Sequence, residues 1–201
     1  MFELDRQIMT LSKTDREAVG TGMMVDRAVD YMPLWLKPKK DGKWNDHLKQ
    51  FPDTGGALQF YSPEAARGKS VTFLIIDEAA FISDLEDGWN NSIRPTLTDY
   101  EGRAVFLSTP RGKNFFYSLF MKQGENDWQS FKFSTYDNPH INPRDIDEAR
   151  IQLPEVVFNQ EYLADPAENS ANPFGNAFIK RCIKPISAQP IVCYGIDLAK
   201  S

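Results

Sequence analysis

Residues 67–81 read RGKSVTFLIIDEAAF, and two nucleotide-site patterns overlap within them. Arg67-Gly68-Lys69-Ser70 has the look of the end of a phosphate-gripping loop, while Asp77-Glu78 closes an apolar run as a magnesium-and-water site would. The first pattern fails on two counts. A GxxxxGK[ST] loop needs glycine at both ends so that backbone amides turn inward, and it lies between a strand and the helix it starts. Pro63 holds the first glycine's position, and the strand-like VTFLII follows Lys69-Ser70 with no room for a helix. The second pattern holds. VTFLII (71–76) is β-branched and apolar without alternation, which predicts a strand covered on both faces. It delivers Asp77 and Glu78 to the C-terminal edge of a sheet, where ligands collect in open α/β folds. An aspartate there can hold magnesium through its water shell, and the adjacent glutamate can orient and deprotonate an attacking water. The same two acids also suit a plain turn or a helix N-cap.

Outward from that strand, strands alternate with helices. QIMTLS (7–12) reads as a short buried strand, and Thr14 with Glu17 forms a capping box for the helix that follows. Val19, Met23, Met24, Ala28 and Tyr31 continue at roughly helical spacing until Pro33, with Gly20 and Gly22 as weak points. Residues 37–56, rich in Lys, Asp, Gly and Pro, read as a surface excursion. ALQFY (57–61) predicts a strand, Ser62-Pro63-Glu64 one helical turn, and 85–93 a helix. AVFLS (104–108) is a second buried strand, followed by a helix over NFFYSLFMK (114–122). WQSFKFS (128–134) alternates in period two and predicts another strand. Asp145–Leu153 and Glu155–Leu163 read as helices with Pro143 and Pro154 at their starts. This order predicts α/β architecture with a mostly parallel sheet.

The totals narrow the function classes. With 201 residues the chain has room for one domain and the start of another. No stretch approaches the ~20 apolar residues of a membrane span, and the charged opening MFELDRQIMT is unlike a secretion leader, so the sequence reads as cytosolic with no membrane partner. Cys182 and Cys193 form no CxxC pair and read as free thiols in a reducing compartment. His47 and His140, the two histidines, are too far apart in sequence to suggest a dyad. A formal net charge of −5 argues against an evenly basic nucleic-acid binder but leaves room for local patches. Lys37, Lys39, Lys40 and Lys43 make one such patch, readable as a solvated loop or as a DNA contact.

Ser108-Thr109-Pro110 ends the strand after the acid pair, where small hydroxyls can sense nucleotide phosphates from beside Asp77; alone, it reads sooner as a strand exit and turn, and beside the acid pair it is less ordinary. Together these blocks resemble the large subunit of the tailed-phage terminase, the DNA-packaging motor. RGKSVTFLIIDEAAF is similar to its Walker B segment, VFLSTPRGKNFFYSLF to its coupling motif, and MTLSKTDREA to the strand and helix after its phosphate loop. YDNPHINPRDIDEARIQLPEVVFNQEYLADP resembles the end of its ATPase domain, and YGIDLAKS the first strand of its nuclease domain.

The resemblance implies an incomplete ASCE P-loop NTPase-type sheet with flanking helices over 1–164, a linker at 165–190, and the start of an RNase H-like nuclease domain at 191–201. It makes Asp77 the magnesium aspartate, Glu78 the catalytic glutamate, and Ser108 with Thr109 the coupling motif. Arg67 matches a position that serves some members as an arginine finger toward a neighbouring subunit; a salt bridge or surface charge is its other reading. Asp197 becomes the first metal-binding aspartate of the nuclease, whose two-metal chemistry needs further carboxylates that this chain does not supply. The implied cofactors are ATP and Mg²⁺, with divalent metals at the nuclease site. The implied partners are double-stranded DNA, the portal protein, the small terminase subunit and a homo-oligomeric ring, at the procapsid portal in the cytoplasm of an infected bacterium. No GxxxxGK[ST] occurs in the sequence, and with it, by family analogy, an interior strand of the sheet is missing. The chain is therefore expected to be an internal segment, marginally stable, that alone neither binds ATP tightly nor hydrolyses it. Two other classes share parts of the pattern: a non-catalytic assembly module and a helicase-like ATPase fragment.

Overall fold

In the computed structural model, which describes residues 5–40 and 43–166, five strands form one sheet in the order β2-β3-β1-β4-β5. They are β1 (Gln7–Leu11), β2 (Leu48–Phe51), β3 (Gly56–Tyr61), β4 (Phe73–Ile76) and β5 (Arg103–Phe106). β3, β1, β4 and β5 are parallel, and β2 pairs antiparallel with β3 at the edge. Parallel neighbours need crossovers, and helices supply them. α1 (Asp15–Tyr31) leaves β1, and helical turns from Leu85 to Tyr100, beginning with α2 (Leu85–Gly88), connect β4 to β5. α3 (Phe115–Phe120), α4 (Pro143–Gln152) and α5 (Glu155–Leu163) follow the sheet. The mostly parallel α/β architecture read from the sequence is the one observed. Residues 167–201, and with them most of the 165–190 linker, the strand expected at 191–199, Asp197, Cys182 and Cys193, lie outside the described residues.

The core sits on one face of the sheet. Met9, Leu11, Leu74 and Ile76 point there and pack under Ala66, Val71, Ala79, Leu85, Trp89, Ile93 and Leu97. On the other face α1 covers only the β3–β1 side, where Phe60 approaches Gly22. Phe73 and Ile75 are consequently half-buried, while Val105 and Leu107 are 38% and 49% exposed. The expectation that VTFLII and AVFLS are covered on both faces is thus corrected: β4 has one buried and one half-buried face, and β5 one half-buried and one exposed face.

Two other local readings change. The surface excursion at 37–56 contains β2, and Lys49 within it is fully buried. Its ammonium donates to one oxygen of Asp26 at 2.7 Å, and the Trp44 indole N–H donates to the other, also at 2.7 Å. Burial pushes the Asp26 carboxyl up, but the hydrogen bonds from Lys49 and Trp44 outweigh it and hold the group below the usual carboxylate range. An ion pair satisfied this way lets a lysine stand where the pattern suggests water. WQSFKFS, by contrast, forms no strand. Trp128 leaves the alternation to pack against Phe106, Ser130 bonds to Gln123 and to the Phe120 carbonyl, and Phe131 and Phe133 stay exposed. No ladder partner exists for it among the described strands.

The capping box at α1 forms as read, with Glu17 N–H donating to Thr14 Oγ1 at 3.3 Å and Thr14 N–H to the Glu17 carboxylate at 3.1 Å. Its two glycines differ. A Cβ on Gly22 would lie 2.5 Å from the Asp46 carbonyl oxygen, whereas one on Gly20 would meet nothing within 4 Å. Gly22 is therefore required for close approach and Gly20 is not. Gly20→Ala is expected to stabilise the chain by about 0.5–1 kcal/mol through helix propensity. Gly22→Ala gains the same propensity but incurs an overpacking cost of about 1–3 kcal/mol, so it should destabilise. Thermal unfolding of the two variants checks this; a raised Tm for Gly22→Ala would show that the contact with the 45–47 loop yields cheaply.

Candidate functional site

Because β1, β4 and β5 are parallel and in register, their C-terminal ends open on one edge, and Ser12, Asp77 and Ser108 continue from those ends. The Asp77 amide still donates to the Leu11 carbonyl at 2.8 Å, as if the strand went on. The chain then turns sharply. Glu78 has φ 50° and ψ 40°, a left-handed conformation that a side chain disfavours by about 1–2 kcal/mol. Such a conformation persists where neighbours over-determine it. Here Asp77 Oδ1 accepts from the Glu78 amide at 3.0 Å, Ala79 N–H donates to the Leu107 carbonyl at 3.0 Å, and Phe81 N–H donates to the Glu78 carbonyl at 2.9 Å.

Ala80 is held from both sides by the segment that follows β5. Its amide donates to Ser108 Oγ at 3.1 Å, and its carbonyl accepts from Asn114 Nδ2 at 2.9 Å. Asn114 also caps α3 through Oδ1, which accepts from the Tyr117 amide at 3.2 Å. Asparagine before NFFYSLF is legible as a helix cap; its second contact, which ties that helix to the acid turn, is not. The Ser108 hydroxyl donates to the Thr109 carbonyl at 2.9 Å and makes a longer 3.5 Å contact with Glu78 Oε2. Among the described residues, Thr109 meets this network only through that carbonyl.

The electrostatics follow from the geometry. Burial pushes the Glu78 carboxyl up, and the adjacent Asp77 charge adds to the effect. The Ser108 hydrogen bond opposes it, while the more distant Glu161 and Glu17 charges push the same way. Ser12 Oγ is fully buried and has no hydrogen-bond partner among the described residues. Arg67 stands apart. It follows the helical turn Pro63–Ala66 in the crossover to β4, is exposed, and spends Nε and Nη2 on Ser92 Oγ at 3.3 and 2.9 Å rather than on the acids. Lys69, set aside as a phosphate lysine, lies over the Tyr61 ring at 4.2 Å. Arg67 and Lys69 border a cleft of about 530 Å³ with Ser92 and Asp99. The structure thus brings Asp77, Glu78 and Ser108 together with Thr109 beside them, and leaves Arg67 outside.

The mostly parallel five-stranded α/β sheet is the fold of phage large terminase ATPase domains. The ATPase domain of the Thermus phage P74-26 large terminase superposes with a TM-score of 0.64 at 23% identity, covering 81% of this chain and 77% of that one. The large terminase of a second, thermophilic bacteriophage, solved in complex with ATP-γ-S, gives a TM-score of 0.61 at 12% identity over 81% of this chain and 40% of that one. At such identities the likeness is one of fold. The family model for the terminase large subunit, T4likevirus-type, N-terminal, matches residues 29–181, and the chain belongs to that family. The terminase large subunit of Escherichia phage T5 is 42% identical over 107 residues, which are 51% of this chain and 24% of that protein. That of Thermus phage G20c is 27% identical over 166 residues, 69% of this chain and 34% of that protein. The chain thus matches from a quarter to a third of the length of these relatives. Among the described residues no helix is long and apolar enough to cross a membrane.

An acid whose carboxyl is raised in the folded state costs stability at neutral pH. Below the unfolded carboxyl pKa, about 4.3, Glu78 is protonated in both states and costs nothing; the penalty develops as pH rises through the raised folded value and is complete above it. Glu78→Gln should therefore melt above the parent chain at pH 7, with the two converging below about pH 4. Equal melting temperatures at neutral pH would mean the carboxyl is not desolvated.

Proposed function

We propose that Asp77, Glu78, Ser108 and Thr109 form the magnesium-and-water half of an ATP-hydrolysing site in the large subunit of a viral DNA-packaging motor. One observation carries the reading: in a chain of the terminase large-subunit family, an acid turn at the end of β4 is clamped by Ser108 and Asn114 from the segment that follows β5. The residues fit the implied ion. Among the described residues no three His, Cys, Asp or Glu gather into a metal cage. Magnesium in nucleotide sites is held by one or two carboxylates, waters and the phosphates themselves. Asp77 keeps one carboxylate oxygen for that purpose, and the unpartnered Ser12 Oγ on the same edge suits a water or ligand oxygen. The ion, when bound, neutralises charge on the transferring phosphoryl group.

Glu78, made more basic by its surroundings, is suited to take a proton from the attacking water. Ser108 has a single proton, now given to the Thr109 carbonyl rather than to Glu78, so a change in the glutamate can redirect that bond and move the loop toward α3. This is the coupling role we assign to Ser108 and Thr109. Arg67, bonded to Ser92 and not to the acids, is better suited to a neighbouring subunit's nucleotide than to its own. ATP as the nucleotide is supported by the thermophilic phage terminase having been solved with ATP-γ-S.

No GxxxxGK[ST] occurs in these 201 residues. In our reading that loop belongs to another part of the full-length subunit and joins beside β5, which has no strand on its outer side among the described residues. The same reading gives 165–190 as a linker and Asp197 as the first metal ligand of a nuclease that cuts concatemeric DNA, with the DNA, portal, small-subunit and ring partners of the whole motor. In the full-length subunit, Glu78→Gln should lower kcat for ATP by about 10²–10⁴-fold while nucleotide binding persists, and Asp77→Ala should weaken magnesium-dependent binding. The isolated 201-residue chain should show no turnover. Hydrolysis by that chain, abolished by Glu78→Gln, would overturn the view that the phosphate loop is indispensable. Full activity of the Glu78→Gln subunit would overturn the site itself.

A further inference from the structure

The segment leaving α1 holds large apolar side chains in water: Tyr31 is 91% exposed, Leu34 89%, Trp35 83% and Leu36 54%. Scattered exposed apolar residues need no explanation, but four within one helix end and the turn after it form a patch of the kind that marks a binding surface. The patch adjoins Lys37, Lys39, Lys40 and Lys43, in a chain whose net charge is −5. Lys39 pairs with Asp53 at 3.7 Å and Lys40 with Asp30 at 3.5 Å, Lys40 also lying 5.4 Å from the Trp44 ring centre; all four charged side chains are exposed, so these ion pairs exchange readily for other anions. Leu36, Lys37 and Lys43 are nonetheless held. Leu36 and Lys37 donate to the Pro33 carbonyl at 2.9 and 3.1 Å, and the Lys43 carbonyl accepts from Gln50 at 3.0 Å. Trp44, next along, is fixed to Asp26 of α1 beside the buried Lys49. Order present before binding lowers its entropic cost.

Charge and composition decide the partner. Protein interfaces favour aromatic residues and arginine at their centres and are depleted in lysine. Lysines next to exposed rings instead suit a phosphodiester strand, with ammonium groups on phosphates and rings on sugars or bases. We propose that this surface is a nucleic-acid contact in which Lys37, Lys39, Lys40 and Lys43 meet phosphates and Trp35 meets a sugar or base. The proposal deepens the packaging-motor reading, and rests on it only for the polymer being DNA.

The test is fluorescence anisotropy of a short labelled duplex and of the matching single strand with the 201-residue chain. If about three or four phosphates are engaged, affinity should fall about 40- to 150-fold between about 50 and about 200 mM salt. Charge reversal at Lys37, Lys39 and Lys43 together should weaken binding at least about ten-fold at the lower salt and flatten the salt dependence. Lys122→Glu, outside the patch, should stay within about two-fold. Trp35→Ala should cost about ten-fold: a loss confined to the single strand marks a stacked base, and a loss with both forms marks a sugar contact. Circular dichroism of the variants, all at exposed or half-buried positions, establishes that they fold. Unchanged affinity in the lysine variant overturns the proposal, as does absent binding by the parent chain. A change in self-association without a change in nucleic-acid binding also overturns it, and assigns the surface to a second copy. Each of these results leaves the nucleotide site, tested by hydrolysis, standing.

Discussion

The parallel register of β1, β4 and β5 is the constraint from which the candidate site follows. Parallel neighbours lie about 4.8 Å apart, so residues leaving adjacent strand ends meet without long loops to bring them together. Leu11 opposite Ile76, and Ile76 opposite Phe106, set Ser12, Asp77 and the Leu107–Ser108 step on one rim. A register slip by one residue would turn Leu74 and Ile76 out of the core and carry the acid pair away from Ser108. The buried contacts of Met9, Leu11, Leu74 and Ile76 therefore do two jobs: they stabilise the domain, and they hold the rim in alignment.

Geometry at the rim is costly. Glu78, though exposed, combines a left-handed backbone with a carboxyl pushed up by partial desolvation and by the adjacent acid. Neither feature favours folding, and both are sustained by bonds to the segment after β5: Leu107 to Ala79, Ser108 and Asn114 to Ala80. The same left-handed backbone recurs at Asp84, Glu101 and Ala164, but at Glu78 it is held by bonds from the segment after a neighbouring strand. It also makes the two loops one mechanical unit, since neither can move without breaking bonds to the other.

Much of this is readable in the sequence, and what is not has a physical reason. The strands at 7–11, 57–61 and 73–76, the α1 capping box and the proline-started helices are legible because each depends on local composition. The acid pair is legible because an apolar run fixes where a strand must end. Lys49 is not: its burial depends on Asp26 and Trp44, whose approach only the tertiary fold arranges. WQSFKFS shows the converse error, since alternation permits a strand but cannot supply the neighbour to pair with. Gly22 reads as a helix weakness because propensity takes no account of the Asp46 carbonyl beside it. The left-handed turn at Glu78 is invisible for the same reason, being imposed by the segment after β5 rather than by its own side chain.

Coverage of the sheet links these observations. α1 closes the second face over β3 and β1 but leaves Val105 and Leu107 exposed on the outermost parallel strand. An exposed apolar edge is a liability that proteins normally blunt with charge, proline or a covering element. Here the uncovered strand is also the one that leads into Ser108, so whatever covers that edge in the full-length subunit would sit against the loop that clamps Glu78. The bonds that hold Ala80 already run through the segment after β5, so the acid turn is aligned by this chain alone. In the proposed reading, an element that covers β5 would therefore rest against the same bonds from Ser108 and Asn114 that hold the acid turn.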